Sequence, residues 1–387
     1  MKFILRFLGR NHLILQISFI SIICINIFFV VFSQPKKYTS DYWQRFHTLK
    51  AEYYDSQYAT KHPTHGWISD ALAYSYAGGA LITGTNPILI IPDAPPLGKY
   101  LIGLSAVLFN NENIMTVIFA AFSLLLLFLV SIQVFRNITL ALLPPFFWSF
   151  ELLFKDQIVN GPLFDIFQLV FLLSAIYFFN IGYIKPKGYT KYIIISFLFL
   201  GFFISTKFFI SGLIFIAATS SILLLSKQYN KIPIILLGVF MSIFVLLITY
   251  VRVFAFGYGI RQFLGIQKWI FLYHKSQIIF PFSIWPLILF NRWHVWFGKI
   301  PVIHDANWLI TWPVITFLSF ITIIFYIFKK VPQNKSIEII MSWIFFYFLF
   351  FSFGEIFSRY FVIVIPLMYI VCIFTLQQFA QKYMKFG

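Results

Sequence analysis

The sequence predicts an all-α polytopic membrane protein, a single integral-membrane domain over residues 1–387. Three observations predict it. Charged residues make up 11% of the chain and hydrophobic ones 60%, with 53 phenylalanines, where a soluble domain carries about 25% charge. Several apolar runs reach or pass the roughly 18 residues that read as a bilayer-spanning helix. Short lysine clusters separate those runs, the pattern of cytoplasmic loops. The formal net charge of +17 then reflects topology and attraction to anionic lipid, so the expected partner is membrane lipid and not nucleic acid.

The elements follow in order. Lys2, Arg6 and Arg10 precede an apolar run at about 12–33. That run is too long for a signal-peptide core and lacks a small-residue cleavage site, so it reads as an uncleaved anchor whose basic end stays inside. Residues 34–96 form the first external loop, where Asp41, Glu52, Asp55, Asp70 and Asp93 alternate with Trp43, Tyr53, Tyr54, Tyr58, Trp67, Tyr74 and Tyr76. Acids interleaved with aromatics suit short helices lying at the headgroup level. Runs at about 97–110, 114–135 and 138–150 come next, the first and third short for a bilayer. The polar stretch from Glu151 to Pro162 reads as interfacial. A helix at about 163–182 then leads to Lys185, Lys187 and Lys191, which puts Asp165 at its external end.

Runs at about 191–206 and 208–226 make a hairpin with Ser205-Thr206-Lys207 at its apex, returning to Lys227 and Lys231. A helix at about 232–252 leads to the second external loop, 253–307, with Arg261, Lys268, His274, Arg292, His294, Lys299, His304 and Asp305. A helix at about 308–328 returns to Lys329, Lys330 and Lys335. The last pair, about 338–354 and 359–379, turns at Gly354, Glu355, Ser358 and Arg359 and ends before Lys382 and Lys385. Cys24 and Cys372 both fall in apolar runs, so neither a disulfide nor a thiolate metal site is expected. His274, His294 and His304 share a loop without metal-ligand spacing, and no phosphate-binding glycine loop occurs. No metal and no cofactor are expected.

This topology collects Asp70, Asp93, Asp165, Lys207, His274 and Arg359 on the external face, and charges close to a membrane tend to mark sites. The chain's most distinctive stretch, Pro92-Asp93-Ala94-Pro95-Pro96-Leu97-Gly98-Lys99-Tyr100, runs from a stiff loop into a helix. Pro95 and Pro96 suit a first helical turn, Asp93 suits the positive end of its dipole, and Lys99 falls near bilayer-surface depth. Carboxylates, cations and aromatics beside lipid suit transfer of a sugar from a lipid-linked donor. Cations stabilise a departing phosphate, and a carboxylate takes the proton of an incoming hydroxyl. Plainer readings stand beside these: Asp165 and Asp93 as helix caps, Lys207 and Arg359 snorkelling to headgroups, His274 packed among aromatics.

Pro95-Pro96-Leu97-Gly98-Lys99 resembles a family signature. Ile68-Ser69-Asp70-Ala71 and Gly84 precede it in the family's order. Asp165, the stretch Gly201 to Gly212 through Ser205-Thr206-Lys207, and Gln267-Lys268-Trp269 with Tyr273-His274 follow. Ser283-Ile284-Trp285-Pro286-Leu287 and Arg359-Tyr360-Phe361 with Pro366 complete the series. On these motifs the chain resembles the dolichyl-phosphate-mannose–protein mannosyltransferase family, the protein O-mannosyltransferases. It is also similar to their lipid-A aminoarabinose transferase relatives, which share the type C glycosyltransferase fold. It departs from the pattern at Ala71, Ala94, Met115-Thr116 and Phe280-Pro281-Phe282.

The resemblance implies a type C glycosyltransferase-like helix bundle with two external loops. It implies inverting transfer of a sugar, mannose in this family, from a polyprenyl-phosphate donor to a hydroxyl of a protein, lipid or glycan outside the plasma membrane. Asp70 and Asp165 would be catalytic, Lys207, Arg359 and His274 would hold the donor phosphate, and Asp93 and Lys99 would serve the loop or acceptor site. Two rivals remain. A transporter or lipid-handling scaffold would carry inverted repeats and broken helices, neither of which the sequence displays. An inactive family member would fit the loss of an acid at Ala71.

Overall fold

The computed structural model describes residues 12–64, 66–276, 280–295, 301–329 and 334–385. Lys2, Arg6, Arg10, Lys299 and Lys330, used above to orient the chain, lie outside these residues, as do the side chains of Lys382 and Lys385. Among the described residues the regular structure is helical except for one small antiparallel ladder, β1 (Trp293–His294) with β2 (Val302–Ile303). Among the described residues four helices are long and apolar enough to cross a membrane, five if one bent pair counts as a span. The protein is a multi-pass membrane protein.

The first loop contributes α2 (Pro35–Thr39), α3 (Tyr42–Tyr54) and α4 (Asp70–Ile82) after α1 (His12–Phe32). Then come α5 (Pro96–Phe109), α6 (Ile114–Phe135), α7 (Ile138–Phe150), α8 (Leu152–Val159) and α9 (Phe164–Ile184). The second half holds α10 (Thr190–Thr206), α11 (Ser211–Leu225), α12 (Ile232–Thr249), α13 (Val251–Ala255), α14 (Ile260–Ser276) and α15 (Ile284–Phe290). It ends with α16 (Thr311–Ile327), α17 (Lys335–Phe351), a 3₁₀ segment at Ser358–Ile363 and α18 (Ile365–Lys385).

α9 is the centre. Its spanning window is 78% buried, against 6% for α1. Its sequence is apolar on nearly every side, as a helix enclosed by others must be, and α6, α10, α17 and the 3₁₀ segment all pack on it. α1 instead lies along α7 at the edge, with residues such as Phe29 and Phe32 facing outward.

Two expectations are corrected. The 138–150 run, short for a bilayer, is continued by α8 in one pair bent by 58°, so a broken helix is present where the sequence displayed none. Pro144 and Pro145 inside α7 remove backbone donors, and Glu151 between the helices is extended at φ −59°, ψ 133°. The final apolar run begins not as helix at 359 but as the 3₁₀ turn, with α18 starting at Ile365. In the first loop α4 is buried against the rest of the protein from Ala73 to Leu81. It can approach so closely because Gly78 faces Gly103 of α5, where a Cβ on Gly103 would stand 2.4 Å from the Gly78 carbonyl oxygen.

Three lysines, Lys99 and Lys231 buried and Lys37 half-buried, tie loops down in one way. Lys37 donates to the carbonyls of Ile158, Val159 and Gly161 at 2.7–3.0 Å. Lys231 does the same for Gly182, Tyr183 and Lys185 at 2.8–3.0 Å. Lys99 reaches Ile90, Ile91 and Ala94 at 2.9–3.0 Å. Each ammonium thus has all three donors on carbonyls, and Lys37 and Lys231 supply the ends of α8 and α9 with partners those ends lack within the helix.

Candidate active site

Charged residues from both halves meet at one end of the bundle. Asp70 opens α4, Asp165 lies in the first turn of α9, Lys207 ends α10, and Arg359 sits in the 3₁₀ segment. Arg359 Nη1 pairs with Asp70 Oδ2 and Lys207 Nζ with Asp165 Oδ1. Tyr58 donates its hydroxyl to Asp70 Oδ1. The Lys207 ammonium lies 4.4 Å from the centre of the Tyr360 ring and the Arg359 guanidinium 5.5 Å from that of Phe357. The Asp70 and Arg359 side chains are 27% and 24% exposed, whereas Asp165 is 4% exposed. One pair therefore opens to the surroundings and the other is almost enclosed.

Local structure explains each placement. The Gln57 side-chain amide clamps the backbone of Ile68 through two hydrogen bonds of 2.8 and 3.0 Å. Ser69 caps α4 by accepting from the Leu72 N–H. Asp70 then occupies the first turn, where the helix dipole favours its charge. The 3₁₀ segment is fixed from two sides: the Tyr347 hydroxyl donates to the Tyr360 carbonyl at 2.8 Å, and Ser358 donates to Asp305 of the second loop. Trp293 of β1 donates to the Ile356 carbonyl at 2.9 Å. The second polar segment thereby holds the turn that aims Arg359 at the first.

His274 packs against Phe208, with ring centres 4.3 Å apart and planes tilted by 48°, next to Lys207. Its ring also bonds the backbone of Asp93. Burial pushes its pKa down to about 4, so the imidazole is neutral at pH 7. Burial raises the Asp70 carboxyl, but Arg359, Tyr58 and Lys207 together outweigh it and hold the group below the usual carboxylate range. Burial raises Asp93, with Lys99 opposing. Burial and Asp70 both keep the proton on Tyr58.

The seven residues singled out in the sequence divide here. Asp70, Asp165, Lys207, Arg359 and His274 converge. Asp93 is alongside, but it is not the cap expected from its position: α5 has Pro95 at its N-cap with no side-chain cap bond. Lys99, expected at bilayer-surface depth in the acceptor site, is fully buried instead and turned toward the 90–94 backbone. There it holds Ile91 at φ 50°, a left-handed conformation that a β-branched residue adopts only under constraint. The Gly98 of the same motif lets α5 meet α9, since a Cβ there would stand 2.6 Å from the Phe164 ring. Tyr58 and Tyr360 were not singled out. Tyr58 stood among many loop aromatics, and nothing local marked it as a partner of Asp70.

Among the described residues no group of three His, Cys, Asp or Glu side chains is placed to hold a metal ion. The arrangement gathers an ionised carboxylate, two cations and a neutral imidazole at one end of the bundle. It can take a proton from a hydroxyl and hold an anion.

No protein-family model matches the sequence, and no curated protein matches it. The fold does match solved structures. ArnT from Cupriavidus metallidurans bound to undecaprenyl phosphate superposes with a TM-score of 0.56 at 13% identity, over 81% of this chain and 57% of that one. The same protein in the apo state gives 0.54 at 12% identity, over 79% and 54%. The Archaeoglobus fulgidus oligosaccharyltransferase in the apo form gives 0.48 at 13% identity, over 95% and 51%. This chain spans a little over half the length of ArnT. The architecture is that of the type C glycosyltransferases.

Proposed function

We propose that this protein transfers a sugar from a polyprenyl-phosphate donor to an acceptor hydroxyl, with inversion, on the external face of the membrane. The observation that carries the reading is the paired cluster at one end of the bundle: a carboxylate and a guanidinium partly open to the surroundings, backed by a second ion pair. The likeness to ArnT, solved with undecaprenyl phosphate bound, supports a polyprenyl phosphate as the lipid. The motif resemblance supports mannose as the sugar.

In this reading the acceptor hydroxyl gives its proton to Asp70 while its oxygen bonds to the anomeric carbon. The bond from that carbon to the phosphate oxygen breaks, and the lipid phosphate leaves with the electron pair. The ionised state of Asp70 suits a base, and each carboxylate oxygen keeps a further lone pair beyond Tyr58 and Arg359. Arg359 faces the leaving phosphate; its Nε is buried and has no hydrogen-bond partner among the described residues. Lys207, oriented by Asp165, adds a second positive charge where negative charge develops. Neutral His274, whose one N–H is engaged by the Asp93 backbone, adds no charge beside Lys207 and packs the wall of the site. Asp93 and Lys99 act on the loop: the ammonium is committed to three carbonyls and shapes the wall of the site instead of touching the acceptor.

Incubating purified protein with radiolabelled polyprenyl-phosphate mannose and a mixed acceptor pool tests this. Release of free polyprenyl phosphate together with label on an acceptor is expected. Intact donor after prolonged incubation with every acceptor and sugar tried would sink the reading.

A further inference from the structure

One buried carboxylate takes no part in the charge cluster. Glu151, in the extended break between α7 and α8, is 1% exposed. Its Oε2 accepts from the indole Nε1 of Trp312 at 3.1 Å. Its Oε1 accepts from the Thr311 hydroxyl at 3.1 Å and from the Tyr369 hydroxyl. Among the described residues no cation pairs with it, so its burial rests on these three bonds. A carboxylate accepts at both oxygens. Glu151 thereby joins the α7–α8 break to the start of α16 and to the opening turns of α18.

Both of those helices bear on the 3₁₀ segment that carries Arg359. α18 follows the segment directly, after Val364. Trp312 is fully buried, and its ring centre lies 5.3 Å from that of Phe361 with planes at 62°. Side chains three apart eclipse one another in a 3₁₀ helix, so Ser358 and Phe361 share one side of the segment. Ser358 bonds Asp305 and Phe361 packs on Trp312. That side is therefore held by the stretch from Asp305 to Trp312, which leads the second loop into α16. Glu151 grips the far end of the same stretch. Arg359 leaves the segment from another side and meets Asp70 there. α8, which begins at the residue after Glu151, packs on the segment as well.

We infer that Glu151 is a positioning residue: it fixes Trp312 against Phe361 and so sets the direction of the Arg359 guanidinium. The inference rests on the reading of Arg359 as the group that faces the lipid phosphate. A guanidinium whose backbone is already fixed meets an anion without the cost of being ordered first. Loosening the segment should therefore be felt in phosphate binding, although Glu151 touches neither the phosphate nor Arg359.

The test uses full-length protein in nanodiscs, with undecaprenyl phosphate as the probe and amide hydrogen exchange of residues 356–364 read without ligand. Glu151→Leu removes all three bonds. It should weaken undecaprenyl phosphate several-fold, by no more than the roughly tenfold loss expected of Arg359→Gln, and speed exchange of the segment. Trp312→Phe keeps a ring against Phe361 but loses the indole N–H. It should act in the same direction to a lesser degree, and it carries the test if Glu151→Leu fails to accumulate. Glu151→Gln should return close to the parent, because its amide oxygen accepts from Trp312 while its NH₂ turns to the two hydroxyls. In the Arg359→Gln background Glu151→Leu should cost no further affinity. Parent affinity in both Glu151→Leu and Trp312→Phe, with Arg359→Gln weakened, would overturn the inference. So would losses that multiply in the double variant, or a Glu151→Gln as weak as Glu151→Leu, which would assign the effect to charge. Parent affinity in Arg359→Gln would instead overturn the phosphate reading. Faster exchange in Glu151→Leu would then still support the positioning role, and unchanged exchange would overturn it.

Discussion

Two sets of cations are held by polar partners in this protein, and they are used differently. Lys37, Lys99 and Lys231 each direct three N–H groups at three backbone carbonyls. Lys207 and Arg359 instead face carboxylates on other elements, and Arg359 keeps an unpartnered Nε among the described residues. Carbonyl cages are neutral dipoles fixed in the chain, so a lysine there closes a loop and has no donor left over. A cation balanced by a side-chain carboxylate can share its charge with a second anion. The first arrangement builds the fold, and the second suits a site.

The largest test of this contrast is Asp70→Asn. It keeps the shape and most hydrogen bonding of the side chain, and transfer should fall about 10²–10⁴-fold, the usual cost of removing a general base, with normal amounts of folded protein. Parent-rate transfer by Asp70→Asn together with a dead Asp165→Asn would move the base to Asp165. Next comes the enclosed pair. Lys207→Met leaves Asp165 buried without its cation and should cost about 3–5 kcal/mol of stability, whereas Lys207→Met combined with Asp165→Leu should recover most of that. Denaturation of the parent and both variants in detergent checks the recovery, and transfer should stay low in the double variant.

On the cage side, Lys231→Met strips three carbonyls of their donor. At about 1 kcal/mol per hydrogen bond, the loss should be about 3 kcal/mol. Transfer per folded molecule should hold at the parent level; a fall in specific activity would erase the contrast. The smallest effect concerns pH. His274, pushed down to about 4, takes up a proton less readily in the folded protein than in the unfolded chain at 6.5. Its contribution is therefore complete above about pH 6.5 and fades as pH drops toward 4. Between pH 7 and 5 the parent should lose about 2 kcal/mol more than His274→Gln. Parallel stability–pH curves for the two would remove this role.

The contrast also marks what the sequence can disclose. Apolar runs translate into helices because a bilayer core demands them, and 114–135 matches α6 end to end. Asp70, Asp165, Lys207 and Arg359 stood out because charges beside apolar runs are conspicuous. Who pairs with whom was not legible, since Asp70 meets Arg359 and Lys207 meets Asp165 only through the packing around α9. Lys99 misled for the same reason: a lysine at a helix start reads as facing water until the 90–94 loop is seen folding over it. The bend at Glu151 was hidden because Pro144 and Pro145 can sit in a continuous helix, and the extended residue between α7 and α8 has no sequence mark.

The contrast comes down to which cations meet lipid phosphate. Titrating purified protein with undecaprenyl phosphate, and comparing Arg359→Gln with Lys231→Met at temperatures where both are folded, reads this directly. Arg359→Gln should weaken binding about tenfold or more, the worth of one charge-assisted hydrogen bond, while Lys231→Met binds as the parent does. Unchanged affinity in Arg359→Gln, or an equal loss in both, would contradict the assignment of the cluster as the phosphate site.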